Sequence, residues 1–346
     1  MDTELPGGFI ATLEGIYTKD LNAVFHRDAN LEAPVGTYAG ADNRPVFGAS
    51  SNDRRINDNI NNAIVLDNTS QGYQTFLTAD LQKTFSAGPL DGLYTRLAYT
   101  RGVSKDLTSS PSAIAFTAWS GNQTVNGPND PELAYSSYDQ RDRVLGIAQY
   151  RLDYLGLAGT TVSMTYTGGT GFNYSYVYGG DMNRDGISQN DLIYVPRDRS
   201  EIVITPASND TRTPDQIWTE LDAFIAQDPY LSERRGQYAE RGAATTPWIN
   251  RLDLGIRQEI TVPTGTGRRA RLEITADVIN AANLLNSSWG VVETPNTTAP
   301  ITFRGVETVD GQLVPTFTSN APAESFETDT DLSSRWQALF GVRLAF

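Results

Sequence analysis

A chain of 346 residues with 41 acidic against 27 basic side chains, a net charge of −14, lacks the cationic surface that a phosphate backbone requires, which argues against nucleic acid as a partner. Hydrophobic residues make up 39%, low for one thick soluble core but natural for strands that are apolar on one side only. There is no cysteine, hence no disulfide framework or thiolate metal site, and no apolar run reaches the roughly 18 residues of a membrane-spanning helix.

The dominant pattern has period two, the signature of strands whose side chains point alternately to opposite faces. Phe9, Ala11, Leu13 and Tyr17 suggest a first strand. In 73–85 one face carries Tyr73, Thr75, Leu77, Ala79, Leu81, Lys83 and Phe85, and the other Gln74, Phe76, Thr78, Asp80, Gln82 and Thr84. The alternation returns in 92–104 with Leu93, Thr95, Leu97 and Tyr99. It returns again in 159–168 with Val162, Met164 and Tyr166, in 249–262 with Leu252, Leu254 and Ile256, and in 268–280 with Leu272, Ile274, Ala276 and Val278. Segment 143–153 is less clean, because Leu145 and Ile147 share a face with Gln149 and Arg151.

Connections alternate in length. Ser86–Asp91, a few residues around Gly156, and Pro263–Gly267 form tight turns, whereas 20–71, 105–141, 169–247 and 283–333 are long. Strictly alternating short and long connections fit a membrane barrel with short periplasmic turns and long extracellular loops. The expected fold is therefore all-β: an antiparallel transmembrane β-barrel segment of about eight strands over residues 1–346. Within the long connections, 214–226 has helical spacing, with Ile217, Leu221, Phe224 and Ile225 on one face.

Candidate sites are few. Asp181, Asn183 and Asp185 followed by Gly186 place oxygen ligands on alternate residues before a sharp turn, as in the first half of a calcium loop, and Asp191 offers a late carboxylate. One reading is a structural Ca²⁺ that pins an outer loop; the other is an Asx-rich turn with solvated carboxylates. His26, the single histidine, lacks partners for a zinc or Ser-His-Asp site and reads as an ordinary loop residue. Glu273 and Asp277 near Arg271 read as wall salt bridges rather than a catalytic pair. Tyr174, Tyr176 and Tyr178 alternate as a ligand platform or as one side of an extracellular strand extension. Trp289 and Trp336 suit a membrane-interface girdle, with packing beneath a loop as the alternative for Trp289. No nucleophile–base set appears, and no enzymatic activity is expected.

The last residues, Arg335 to Phe346, put Trp336, Ala338, Phe340, Val342, Leu344 and Phe346 on one face and end on the aromatic itself. This resembles the terminal signal that the barrel-assembly machinery of the outer membrane captures by strand addition. Three further stretches make the resemblance specific. Asp277-Val278-Ile279-Asn280-Ala281-Ala282-Asn283-Leu284-Leu285-Asn286 looks like a penultimate strand ending in an Asn-bounded exit. Gly180–Gly186, with Asn190-Asp191-Leu192-Ile193-Tyr194-Val195-Pro196 after it, and the opening Leu5-Pro6-Gly7-Gly8-Phe9 with Tyr17-Thr18-Lys19-Asp20, are similar to the Oar-like branch of TonB-dependent receptors.

The resemblance implies an outer-membrane location, contact with lipid, uptake of an extracellular ligand, and contact with TonB through a plug domain. It covers the C-terminal third or so of such receptors. A full member carries a signal peptide, often a carboxypeptidase-regulatory-like domain, a plug, and a barrel of about 22 strands. Met1-Asp2-Thr3-Glu4 shows no basic region or apolar core, so the chain is expected to be a fragment or to have a miscalled start. Transport then belongs to the complete protein. The rival expectation is a self-contained eight-stranded outer-membrane barrel acting as an adhesin or structural protein.

Overall fold

The computed structural model describes residues 1–48, 53–109, 112–263 and 269–346. Strands dominate it, and no helix among the described residues is long and apolar enough to cross a membrane. The principal sheet runs in chain order. Its strands are β1 (Asp2–Leu5), β2 (Phe9–Lys19), β3 (Tyr73–Thr84), β4 (Leu93–Asp106) and β5 (Asp142–Tyr154). They are followed by β6 (Ala158–Gly169), β7 (Ile249–Pro263), β8 (Arg269–Ile279) and β9 (Gln337–Ala345). Each pairs antiparallel with the next, and β1 and β9 are the two edges.

The sheet has ten strands rather than about eight. The additions are β1, folded onto β2 through Gly7 and Gly8, and the two-residue strand Ala134–Tyr135 at the end of β4. Both additions are too short to show a period in the sequence. The β5–β6 turn holds Leu155 at φ +59 and Gly156 at φ +62, a left-handed pair that suits the twist of a hairpin. The expected β7–β8 turn, Pro263–Gly267, falls mainly on residues 264–268, outside the described residues.

Register aligns like with like. On one side Leu13 meets Ala79, Leu81 meets Leu97, Met164 meets Leu254, Ile256 meets Ala276, and Ile274 meets Val342. On the other, Glu14 meets Thr78, Gln82 meets Arg96, Thr161 meets Arg257, and Glu273 meets Arg343. The polar side is laced by Asp80–Arg96 at 2.5 Å and by Glu259, which takes Arg151 at 2.9 Å and Arg271 at 3.8 Å. Arg271 thus reaches Glu259 on the neighbouring strand. Leu145 and Ile147 do lie on this polar side, opposite Ala98 and Arg96.

The packed core lies elsewhere, within the long connections. The helices there are α1 (Ala115–Ser120), α2 (Pro214–Gln227) and α3 (Ala281–Leu285). Ile217, Leu221, Phe224 and Ile225 of α2 are all buried, together with Tyr38, Tyr176, Tyr178, Ile193, Ile204, Ile301 and Phe317. The short strand Val203–Ile204 runs parallel to 316–317, and Tyr178–Gly179 runs parallel to 301–302. With the antiparallel pair Ile301–Val309 and Gln312–Ser319 they make a second sheet of four strands. The long connections therefore condense into one cap at a single end of the principal sheet.

Candidate functional site

Local sequence explains why the cap holds its shape. Helix α2 starts at Thr213, whose hydroxyl accepts from Gln216 N, while the Gln216 side chain accepts from Thr213 N; Pro214 occupies the first turn, where its missing N–H costs nothing. At its far end Asp228, fully buried, accepts from Tyr230 N and Leu231 N and from the hydroxyls of Tyr176 (2.6 Å) and Ser325 (2.7 Å). One carboxylate thereby ties the end of α2 to Tyr176 in its own connection and to Ser325 in the last one.

Tyr176 and Tyr178 are neither a ligand platform nor an exposed strand extension. The Tyr176 ring meets Phe224 edge-on at 6.3 Å, and Tyr178 stacks on Phe317 at 5.1 Å. Their alternation is real, but the faces it supplies are covered by α2 and by the strand that carries Phe317, both far from them along the chain. Burial, reinforced by Asp42, pushes the Tyr178 hydroxyl well above its ordinary value.

Beside Tyr178 sits the cap's main polar junction. Arg44, 1% exposed, donates Nε and Nη2 to the two oxygens of Asp42 at 2.9 Å each, Nη2 to Leu192 O at 2.6 Å, and Nη1 to Asp191 at 3.4 Å. Its guanidinium lies 4.9 Å from the Tyr178 ring and 5.6 Å from the Tyr238 ring, and both tyrosines donate their hydroxyls to Asp42. Two connections, 20–71 and 169–247, meet on one arginine.

The acidic turn adjoins this junction, and the fold brings all four anticipated residues together. Asp181 Oδ2 accepts from Gly186 N at 2.9 Å, Asn183 Oδ1 from Asp185 N at 2.9 Å, and Asp185 Oδ1 from Ile187 N at 2.7 Å. Gly186 holds φ +97, and a side chain there would collide with the Arg54 guanidinium. Asp191 accepts from Met182 N and Asn183 N on one oxygen and faces Arg44 with the other. Sequence reasoning missed Asn190, whose amide donates to Asp185 Oδ2 at 3.1 Å. Burial raises the Asp181 carboxyl to about 6, and the Asp185 charge adds to the rise. Burial likewise raises Asp191 to about 7, with Arg44 opposing and Asp185 reinforcing. Among the described residues no group of three or more Asp, Glu, His or Cys side chains is arranged to hold a metal ion.

The Asn-bounded exit of β8 has a mechanical role. Asn280 adopts φ +55 and turns the chain into α3, its backbone N–H donating to Asp253 and its amide to Gly290 O. Asn283 donates to Ser287 O and Trp289 O and accepts from Trp336 N, so it clamps the start of β9. Trp289 is half exposed, and with Trp248 it lines a cavity of about 360 Å³ where β7 enters the cap. His26 lies on a short hairpin strand, Ala23–Asp28, paired with Ile64–Thr69.

A second cavity, of about 250 Å³, opens between the cap's connections and the end of β4. Ser109, Asn122, Tyr135, Asn173, Ser175 and Arg241 line it, and Arg241 is anchored by Asp106 at 2.7 Å. This is a hydroxyl- and amide-rich cleft assembled from several separate segments, so no local motif announces it. Comparison with family models, with curated proteins and with solved structures finds no match to this chain.

Proposed function

We propose that this chain forms barrel wall and extracellular cap of an outer-membrane receptor of the TonB-dependent class, with the polar cleft of the cap as the region that meets ligand. The observation that carries the reading is the uncovered apolar side of the principal sheet. Leu97 is 58% exposed, Val342 75% and Phe340 84%, while the packed core is confined to the cap. Strands spaced about 4.8 Å apart and rising about 3.3 Å per residue give that side an area on the order of 1,000 Å². Soluble monomers rarely expose contiguous apolar patches above a few hundred Å². A strand of 11 residues such as β2 or β8, tilted by about 45°, spans roughly 26 Å, close to the ~25 Å apolar band of such barrels. The edges β1 and β9 do not pair with each other among the described residues, which favours a wall completed by further strands.

Refolding tests the reading directly. The chain is expected to reach a monodisperse β-protein only with detergent micelles or lipid vesicles. Monodisperse folding in plain buffer would refute it.

The terminal strand supplies a second expectation. Val342 and Leu344 of β9 face Ile274 and Leu272, and among the described residues the outer edge of β9 has no partner strand, which suits strand addition by the assembly machinery. Deleting Phe346 from the complete protein should lower the folded, heat-modifiable fraction recovered from outer membranes. Unchanged yield would show that Phe346 is no assembly signal.

A further inference from the structure

We propose that the acidic turn binds calcium through Asp181, Asp185 and Asn190, a role that does not depend on the barrel reading. Two buried oxygens have no hydrogen-bond partner there: Asp181 Oδ1 and Asn190 Oδ1. Asn190 is 1% exposed, so water does not satisfy its carbonyl from bulk. Its amide cannot simply be reversed, because Nδ2 donates to Asp185 Oδ2 and a flip would set two oxygens against each other. A buried acceptor left unmatched is costly, and a hard cation is the partner that can satisfy more than one oxygen acceptor at once.

The remaining contacts divide the labour among the acids. Asp181 spends Oδ2 on Gly186 N and leaves Oδ1 buried without a hydrogen-bond partner. Asp185 Oδ2 is filled by the Asn183 and Asn190 amides, whereas Oδ1 accepts only from Ile187 N and retains a lone pair. Asp191 is different: one oxygen holds two backbone N–H groups and the other faces Arg44, so it positions the turn and is not a ligand. Calcium takes six to eight oxygens and accepts amides, main-chain carbonyls and water, so two carboxylates with an asparagine suffice where three converging acids are absent. Arg54 is the protein's own cation beside Asp181 and Asp185 and would share the site's charge with the ion.

The test is a calorimetric titration of calcium chloride into the calcium-free full chain, folded in micelles, or in plain buffer should it fold there. That choice keeps failure of the barrel reading separate from failure of this one. One saturable site is expected with a dissociation constant on the order of 10⁻⁴–10⁻³ M, and weaker binding of magnesium. Asp181→Asn and Asn190→Ala should each weaken calcium by about tenfold or more, with the near-ultraviolet circular dichroism of the cap retained. If either variant misfolds, the parent decides: its cap should melt higher with calcium than with magnesium at equal ionic strength. Absence of saturable heat at several times the expected constant, parent-like affinity in both folded variants, or equal melting with the two cations would overturn the proposal.

Discussion

Replacing Arg44 with methionine should destabilise the cap by about 3–5 kcal/mol, the cost typical of removing one partner from a buried ion pair. The side chain is 1% exposed and lies among two carboxylates, a carbonyl and two aromatic rings. Methionine fills much of the volume but its side chain supplies no donor, so Asp42 keeps its tyrosine hydroxyls and the backbone N–H of residue 44, and Asp191 keeps the turn's N–H groups. Tyr178→Phe removes the hydroxyl that donates to Asp42 and accepts from Tyr194 N but leaves the Arg44–Asp42 ion pair in place, and should cost less, about 1.5–3 kcal/mol. Because Arg44 bridges residues around 42 to residues around 191, the damage should appear in the cap and spare the sheet. Hydrogen exchange resolves the two: protection falls across 176–195 and 237–239, while β3 to β8 keep theirs. A loss below about 1 kcal/mol would mean that the stacked helix and strands hold the cap without this junction.

What the sequence discloses depends on how local the cause is. A strand side chain has two environments, so Leu77 and Thr78 announce their faces without knowledge of the neighbouring strand. Helix α2 is legible for the same reason: Ile217, Leu221, Phe224 and Ile225 repeat at helical spacing, and Thr213 with Gln216 marks the start. Asp181, Asn183 and Asp185 are legible because the turn that gathers them is only a few residues long. The cap's core is not legible. Tyr176 and Tyr178 alternate as any exposed strand would, and only Phe224 and Phe317, brought from far along the chain, make them core. Arg44 and Asn190 carry no pattern at all, since their importance comes from partners gathered by the fold. The short strands 178–179 and 203–204 pair in parallel with 301–302 and 316–317, which needs long crossovers and leaves no period to count. The same locality explains Glu273 and Asp277. Their neighbour Arg271 was read along one strand, yet the structure pairs it across strands with Glu259.

Arginine placed on the sheet should report depth in the membrane as well as face. Leu97 is the most informative position. Its register partners are Leu81 and Gly146, so no polar group lies beside it on the apolar side. Leu97→Arg should cost roughly 2–4 kcal/mol in lipid vesicles, the penalty for a cation near the midplane on the lipid face. Leu77, on the same apolar side, stands opposite Arg101, which pairs with Asp142 at 2.5 Å close to the cap. An arginine at Leu77 can reach that polar margin, so its cost should fall toward the roughly 0–1 kcal/mol seen near interfaces. Thr78→Arg faces the other way, directly opposite Glu14, and should be nearly neutral because water and a carboxylate receive the charge. The ordering Leu97 above Leu77 above Thr78, measured by urea unfolding from vesicles, is what a membrane wall requires. A soluble sandwich penalises any buried leucine by its packing and has no reason to rank two leucines by distance from the cap. Equal losses at Leu97 and Leu77, in a parent that unfolds reversibly without lipid, would therefore rule out the wall.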